Sequence, residues 1–86
     1  MKTFNDLKFK KDKQREGIFA RVRFANNYGA SIVKNKYSYG NKEGSYEVAV
    51  LDKNGSITYT TPITNDVVGN LTPHEVTDIL NKIQAL

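Results

Sequence analysis

The residues of this 86-residue sequence best suited to acid–base or metal chemistry are one histidine, His74, and nine carboxylates, and there is no cysteine. The missing thiols exclude a disulfide framework, a thiolate zinc or iron–sulfur site and a cysteine nucleophile. Every histidine-dependent mechanism, whether a His–His metal site, a His–carboxylate pair or a serine triad, therefore rests on His74. Its neighbours point to a structural setting. In Thr72-Pro73-His74-Glu75 it takes the second position of a helix, with Asp78 one turn on, which predicts an exposed first-turn side chain. Glu47, Asp52, Asp66, Glu75 and Asp78 are available for a glycosidase pair or a magnesium site, but nothing groups them. Asp52 belongs to a turn, Glu75 to a cap and Asp78 to a helix surface. The glycine-containing stretch Tyr39-Gly40-Asn41-Lys42-Glu43-Gly44 lacks both the Lys-Ser/Thr and the following helix of a phosphate loop. The expectation is a non-enzymatic chain with no catalytic residue, metal or cofactor.

Recognition chemistry is better represented than reactive chemistry. Residues 1–44 hold eleven Lys and Arg against four Asp and Glu, whereas residues 45–86 hold two against five, within a net charge of +4. The excess peaks in a basic run, Lys8, Lys10, Lys11, Lys13 and Arg15, which is either an electrostatic footprint or a solvated, solubilising loop. It recurs at Arg21, Arg23, Lys34, Lys36 and Lys42, interleaved with Tyr28, Tyr37 and Tyr39. Three readings compete for this second group. Tyrosine rings can stack on bases while the cations neutralise phosphates, as in single-strand binders. The same rigid, polar-tipped rings with Arg can anchor a protein partner, which is the leading functional reading. Or Tyr37 and Tyr39 simply cover a sheet edge.

These side chains are positioned by strands and one helix. Phe4, Leu7 and Phe9 alternate weakly into the charge run and predict a short edge strand, followed by a basic loop over residues 8–16. From Gly17 to Ala25, Ile18, Ala20, Val22 and Phe24 share one face at period two, and Arg21 and Arg23 take the other. Asn26-Asn27-Tyr28-Gly29 supplies residues that tolerate positive φ, so residues 18–34 read as a hairpin closed by Ala30-Ser31-Ile32-Val33-Lys34. Residues 35–45, rich in Gly, Asn, Ser, Tyr and Lys, read as a loop. Tyr46–Leu51 resumes a strand, Asp52-Lys53-Asn54-Gly55 is a hairpin turn, and Ser56–Thr60 is the expected return strand, stopped near Pro62. Residues 63–71 read as a connector.

The helix signals over residues 73–86 agree with one another. Thr72 is a cap, Pro73 suits the first helical position and Glu75 completes a capping box, with Leu71 and Val76 placed for a hydrophobic staple. Val76, Ile79, Leu80, Ile83 and Leu86 form one apolar stripe. Burying that stripe on one face of the strands predicts a single two-layer α+β domain over residues 1–86: an antiparallel sheet of four to five strands, ordered β-β-β-β-β-α, with the C-terminal helix packed on one face. The longest apolar stretch, Val48–Leu51, is far below the roughly 20 residues that span a bilayer, and the N-terminus lacks the apolar core of a secretory signal. A cytoplasmic location is expected. So small a core also leaves homodimerisation open, through the sheet's exposed edge.

Five phrases follow one another along the chain: Asn27-Tyr28-Gly29-Ala30-Ser31-Ile32-Val33, Tyr37-Ser38-Tyr39-Gly40, Tyr46-Glu47-Val48-Ala49-Val50-Leu51, Thr61-Pro62-Ile63-Thr64 and Asp66-Val67-Val68-Gly69. In these the chain resembles small accessory proteins of tailed bacteriophages and prophages, over residues 27 to about 86. The resemblance names no activity. It implies a protein acting in the bacterial host cytoplasm by binding a host or viral macromolecule, with residues 8–15 as an addition outside the shared part.

Overall fold

A computed structural model of the chain describes residues 2–12, 17–34, 46–58, 61 and 68–86. The period-two segments form an antiparallel meander: β1 (Lys10–Asp12), β2 (Gly17–Arg23), β3 (Gly29–Lys34), β4 (Tyr46–Leu51) and β5 (Val68–Leu71), in that spatial order. One helix, α1 (Pro73–Gln84), follows. The architecture is thus α+β, a five-stranded open antiparallel sheet with a C-terminal helix on one face.

Register explains how the faces are divided. Ala20 pairs with Ile32 and Ile32 with Val48, while Val22 pairs with Ala30 and Ala30 with Val50. Paired residues share a face, so these rows make one apolar surface across three strands. Val76, Leu80 and Ile83 of α1 close over it, each with no exposed surface, and Phe24 and Leu71 complete the cluster. Both members of the expected staple, Leu71 and Val76, enter this core.

The helix ends are held by local chemistry. The Glu75 amide donates to the Thr72 hydroxyl at 3.2 Å and the Thr72 amide donates to the Glu75 carboxylate at 2.9 Å, the reciprocal capping box. At the other end, the Asn26 side-chain amide donates to the carbonyls of Ile83 (2.8 Å) and Leu86 (3.3 Å). The β2–β3 hairpin tip therefore caps the helix C-terminus. That tip turns through Asn27 at φ 73°, a conformation Asn tolerates better than most residues. The N-terminal segment lies along α1: the Phe4 amide donates to the Thr77 hydroxyl at 3.0 Å, and Lys2 and Gln84 exchange two hydrogen bonds.

Two strands differ from the sequence expectation. Phe4–Asp6 is a single 3₁₀ turn, and the edge strand is Lys10–Asp12, inside the segment expected as a basic loop. The spacing of Phe4, Leu7 and Phe9 is not strictly two, and the amide and hydroxyl of Thr3 both donate to the Asp6 carboxylate, which closes a turn. That turn brings the Phe4 and Phe9 rings to 5.6 Å, and both meet Tyr46, the Phe4 contact being edge-on at 5.0 Å. Secondly, the strand completing the sheet is Val68–Leu71, in the segment read as a connector. The expected return strand is reduced, over its described part, to a bridge between Leu51 and Ile57 and a bond from the Thr58 amide to the Val50 carbonyl. The edge of β4 is thus shared: residues 57–58 pair near its end, and β5 pairs near its start at Tyr46–Leu71 and Val48–Val68, with an irregularity between. The Asp52–Gly55 turn forms as expected, with Gly55 at φ 81° and the Asp52 carboxylate accepting from the amides of Asn54 (2.9 Å) and Ser56 (3.0 Å).

Candidate interaction face

The same alternation that turns Ala20, Val22, Ile32, Val48 and Val50 toward α1 turns their neighbours the other way. Phe19, Arg21 and Arg23 of β2, Ser31 and Val33 of β3, and Glu47, Ala49 and Leu51 of β4 occupy the face opposite the helix. The register sets them in three rows. Lys10, Phe19, Val33 and Glu47 cross four strands; Arg21, Ser31 and Ala49 form the next row; Arg23, Gly29 and Leu51 form the last.

Arg21 and Arg23 are exposed and neither forms an ion pair or side-chain hydrogen bond with another described residue. Two shallow hollows meet at Arg21. One, about 230 Å³, runs between Arg21 and Arg23 over Gly29 and Leu51, with Asp52 and Gly55 on its rim. Its floor requires glycine: a Cβ on Gly29 would stand 2.6 Å from the Val22 carbonyl oxygen and 3.6 Å from Leu51 Cβ. The other, about 250 Å³, is lined by Arg21, Ser31, Val33, Glu47, Ala49 and Ile57 among others. Ile57 is 46% exposed, the one large hydrophobic side chain so exposed among the described residues. Ala49 and Leu51 are buried at the base of these hollows.

The sequence-selected residues do not all converge here. Arg21, Arg23 and, across from Phe19, Lys10 share the face. Tyr28 falls on the helix side of the sheet and packs half-buried against the core. Lys34 also falls on that side, its Nζ 5.1 Å from the Tyr46 ring centroid in a cation–π contact. Lys8 and Lys11 are exposed, Lys11 opposite Ile18. Lys13, Arg15, Lys36, Tyr37, Tyr39 and Lys42 lie outside the described residues, as does Asp66. Phe19, Val33 and Ile57, which the sequence reading did not select, line the face. For Phe19 and Val33 the signal was present in the phase, since each is an apolar residue of β2 or β3 at a position where strict alternation would put a polar one.

No reactive constellation accompanies this surface among the described residues. His74 Nε2 lies 3.8 Å from an Asp78 carboxylate oxygen on the outer side of α1, with 87% of the His74 side chain exposed. No group of three or more His, Asp or Glu could hold a metal ion among the described residues. Asp6 and Glu75 both titrate below the usual carboxylate range, each because it accepts a backbone N–H, from Thr3 and Thr72 respectively, and then a hydroxyl from the same residue. Those carboxylates are engaged in turns and caps. A third hollow of about 330 Å³, beside Asn26, Asn27, Tyr28, Asp52 and Lys53, has two of its polar groups similarly committed: Asn26 caps α1, and Asp52 holds its own turn. No helix among the described residues is long and apolar enough to cross a membrane. No protein-family model, no curated protein and no solved structure matches the chain.

Proposed function

We propose that this chain is a non-enzymatic binding module that engages a protein partner through the sheet face opposite α1, centred on Arg21 and Arg23. The observation that carries this reading is the pair of exposed guanidiniums, unpartnered among the described residues, standing between hollows floored by Ala49 and Leu51 and edged by exposed Ile57. Arginine beside accessible apolar surface is the composition of interface centres: the guanidinium offers five directional donors, and the apolar floor gains from losing water. Among the described residues, Asp6, Asp52 and Glu75 hold turns and a cap, and His74 and Asp78 lie on the exposed side of α1.

The resemblance to phage and prophage accessory proteins supports a host or viral protein as the partner and the host cytoplasm as the place of action. Affinity capture from nuclease-treated bacterial lysate tests the reading. Wild type should retain a defined protein that Arg21→Glu with Arg23→Glu, unchanged in circular dichroism, fails to retain. Equal retention by both forms, or retention that disappears with nuclease, would overturn it.

A further inference from the structure

Resting on that reading, we infer that the partner presents an extended segment with two carboxylates and one apolar side chain in the order acid–x–acid–x–apolar, or its reverse, laid along β2. Same-face residues on a strand repeat about every 6.6–6.8 Å. Arg23, Arg21 and Phe19 are three successive same-face residues of β2, so they offer cation, cation and ring at that repeat. An extended partner carries its own alternate side chains at the same repeat, and a helical one does not. Carboxylates meeting Arg23 and Arg21 form charge-assisted, bidentate hydrogen bonds that a lysine pair would not orient. The third position meets Phe19 and, one strand over in the same row, Val33. Lys10 lies opposite Phe19 on the far side of that row and adds a third cation along the edge.

The floor geometry fits side chains rather than a polyanion. The hollow between the arginines is open because Gly29 has no side chain, and about 230 Å³ admits a carboxylate-bearing side chain without displacing the backbone. Each hollow also has an acidic rim residue, Asp52 in one and Glu47 in the other. These repel any anion on the face, and they repel a phosphate chain, charged at every unit, more than a segment that carries carboxylates only where the arginines stand. The described tyrosines, Tyr28 and Tyr46, pack on the helix side, which leaves Phe19 as the one ring on this face among the described residues, where a single-strand binder stacks successive bases on several. A second copy of the chain matches less well, because the exposed acids of α1, Glu75 and Asp78, repeat at helical spacing.

Fluorescence anisotropy with three labelled probes tests this. The first is a short synthetic peptide pair carrying Glu-Thr-Glu-Thr-Leu and its reverse, the second the same peptides with Lys for Glu, and the third a single-stranded oligonucleotide of matched charge. One acidic peptide should bind saturably and weaken about tenfold or more with Arg21→Ala or Arg23→Ala. The Lys peptides should not bind. Failure of both acidic peptides, or binding indifferent to the two arginines, overturns the inference; the protein-binding reading then survives only if arginine-dependent capture from lysate persists. Arginine-dependent binding of the oligonucleotide in preference to the peptides overturns both. Light scattering that shows self-association lost in Arg21→Ala with Arg23→Ala would assign the face to a second copy and overturn the inference.

Discussion

Gly29 illustrates how much a single residue decides at this face. Its backbone passes so near β2 that a methyl group would overlap the Val22 carbonyl at 2.6 Å, and that oxygen belongs to the sheet and cannot swing aside. Gly29→Ala should cost about 1–3 kcal/mol in urea unfolding, the usual range for overpacking, and should also fill the hollow between the arginines. Gly55 is constrained differently: no atom crowds it, but its φ of 81° strains any side chain. Glu75 carries a pH signature. Its folded-state pKa lies below the ordinary 4.5 because the Thr72 amide and hydroxyl donate to the charged carboxylate. The capping contribution is therefore complete above that ordinary value and is lost as pH falls through the lowered one. Wild type should consequently lose more of its Tm between about pH 6 and about pH 3 than Glu75→Gln does, a comparison that thermal scans at the two pH values would make. Asp6 should act in the same direction at the N-terminal turn.

Among the elements, α1 closes the core, and Leu80 lies in its middle with no exposed surface. Leu80→Ala should cost about 2–5 kcal/mol, comparable with the whole stability expected of a domain this small, so calorimetry should find it largely unfolded or without a sharp transition. The helix was legible in the sequence because its signals are local: Thr72, Pro73 and Glu75 write the start, and Val76, Leu80 and Ile83 write the buried stripe. The β2–β3 hairpin was legible for the same reason, through the phase of Ala20, Val22, Arg21 and Arg23. β5 was not. Val68-Gly69-Asn70-Leu71 has neither alternation nor β-branched enrichment, and its strand state comes from the unpaired edge of β4, a long-range demand that no local window contains. The N-terminal turn is written partly by a local pair, Thr3 and Asp6, and partly by a long-range one, since Phe4 and Phe9 are drawn to Tyr46, which is distant in sequence. Of the candidate site, the arginines were visible from their phase. That Tyr28 and Lys34 take the opposite side follows only once register joins the strands.

At the scale of the whole molecule, an open sheet leaves β1 and β5 at its margins. β1 is short and its first two residues are Lys10 and Lys11, charged side chains that discourage another strand from pairing there. Lys10→Val with Lys11→Val should therefore raise the apparent mass in concentration-dependent light scattering, while wild type stays constant. If both behave alike, the lysines do not guard the edge. The sheet also separates two environments, a dry side sealed by α1 and an outer side where cations stand over apolar floors. The contact between Lys2 and Gln84 has a practical corollary. Because their reciprocal bonds, both within 2.9 Å, hold the first and last turns of the chain side by side, a short glycine linker could splice residue 86 to residue 1. New ends opened at the exposed Lys53–Asn54 turn would then yield a circular permutant retaining every strand and the helix.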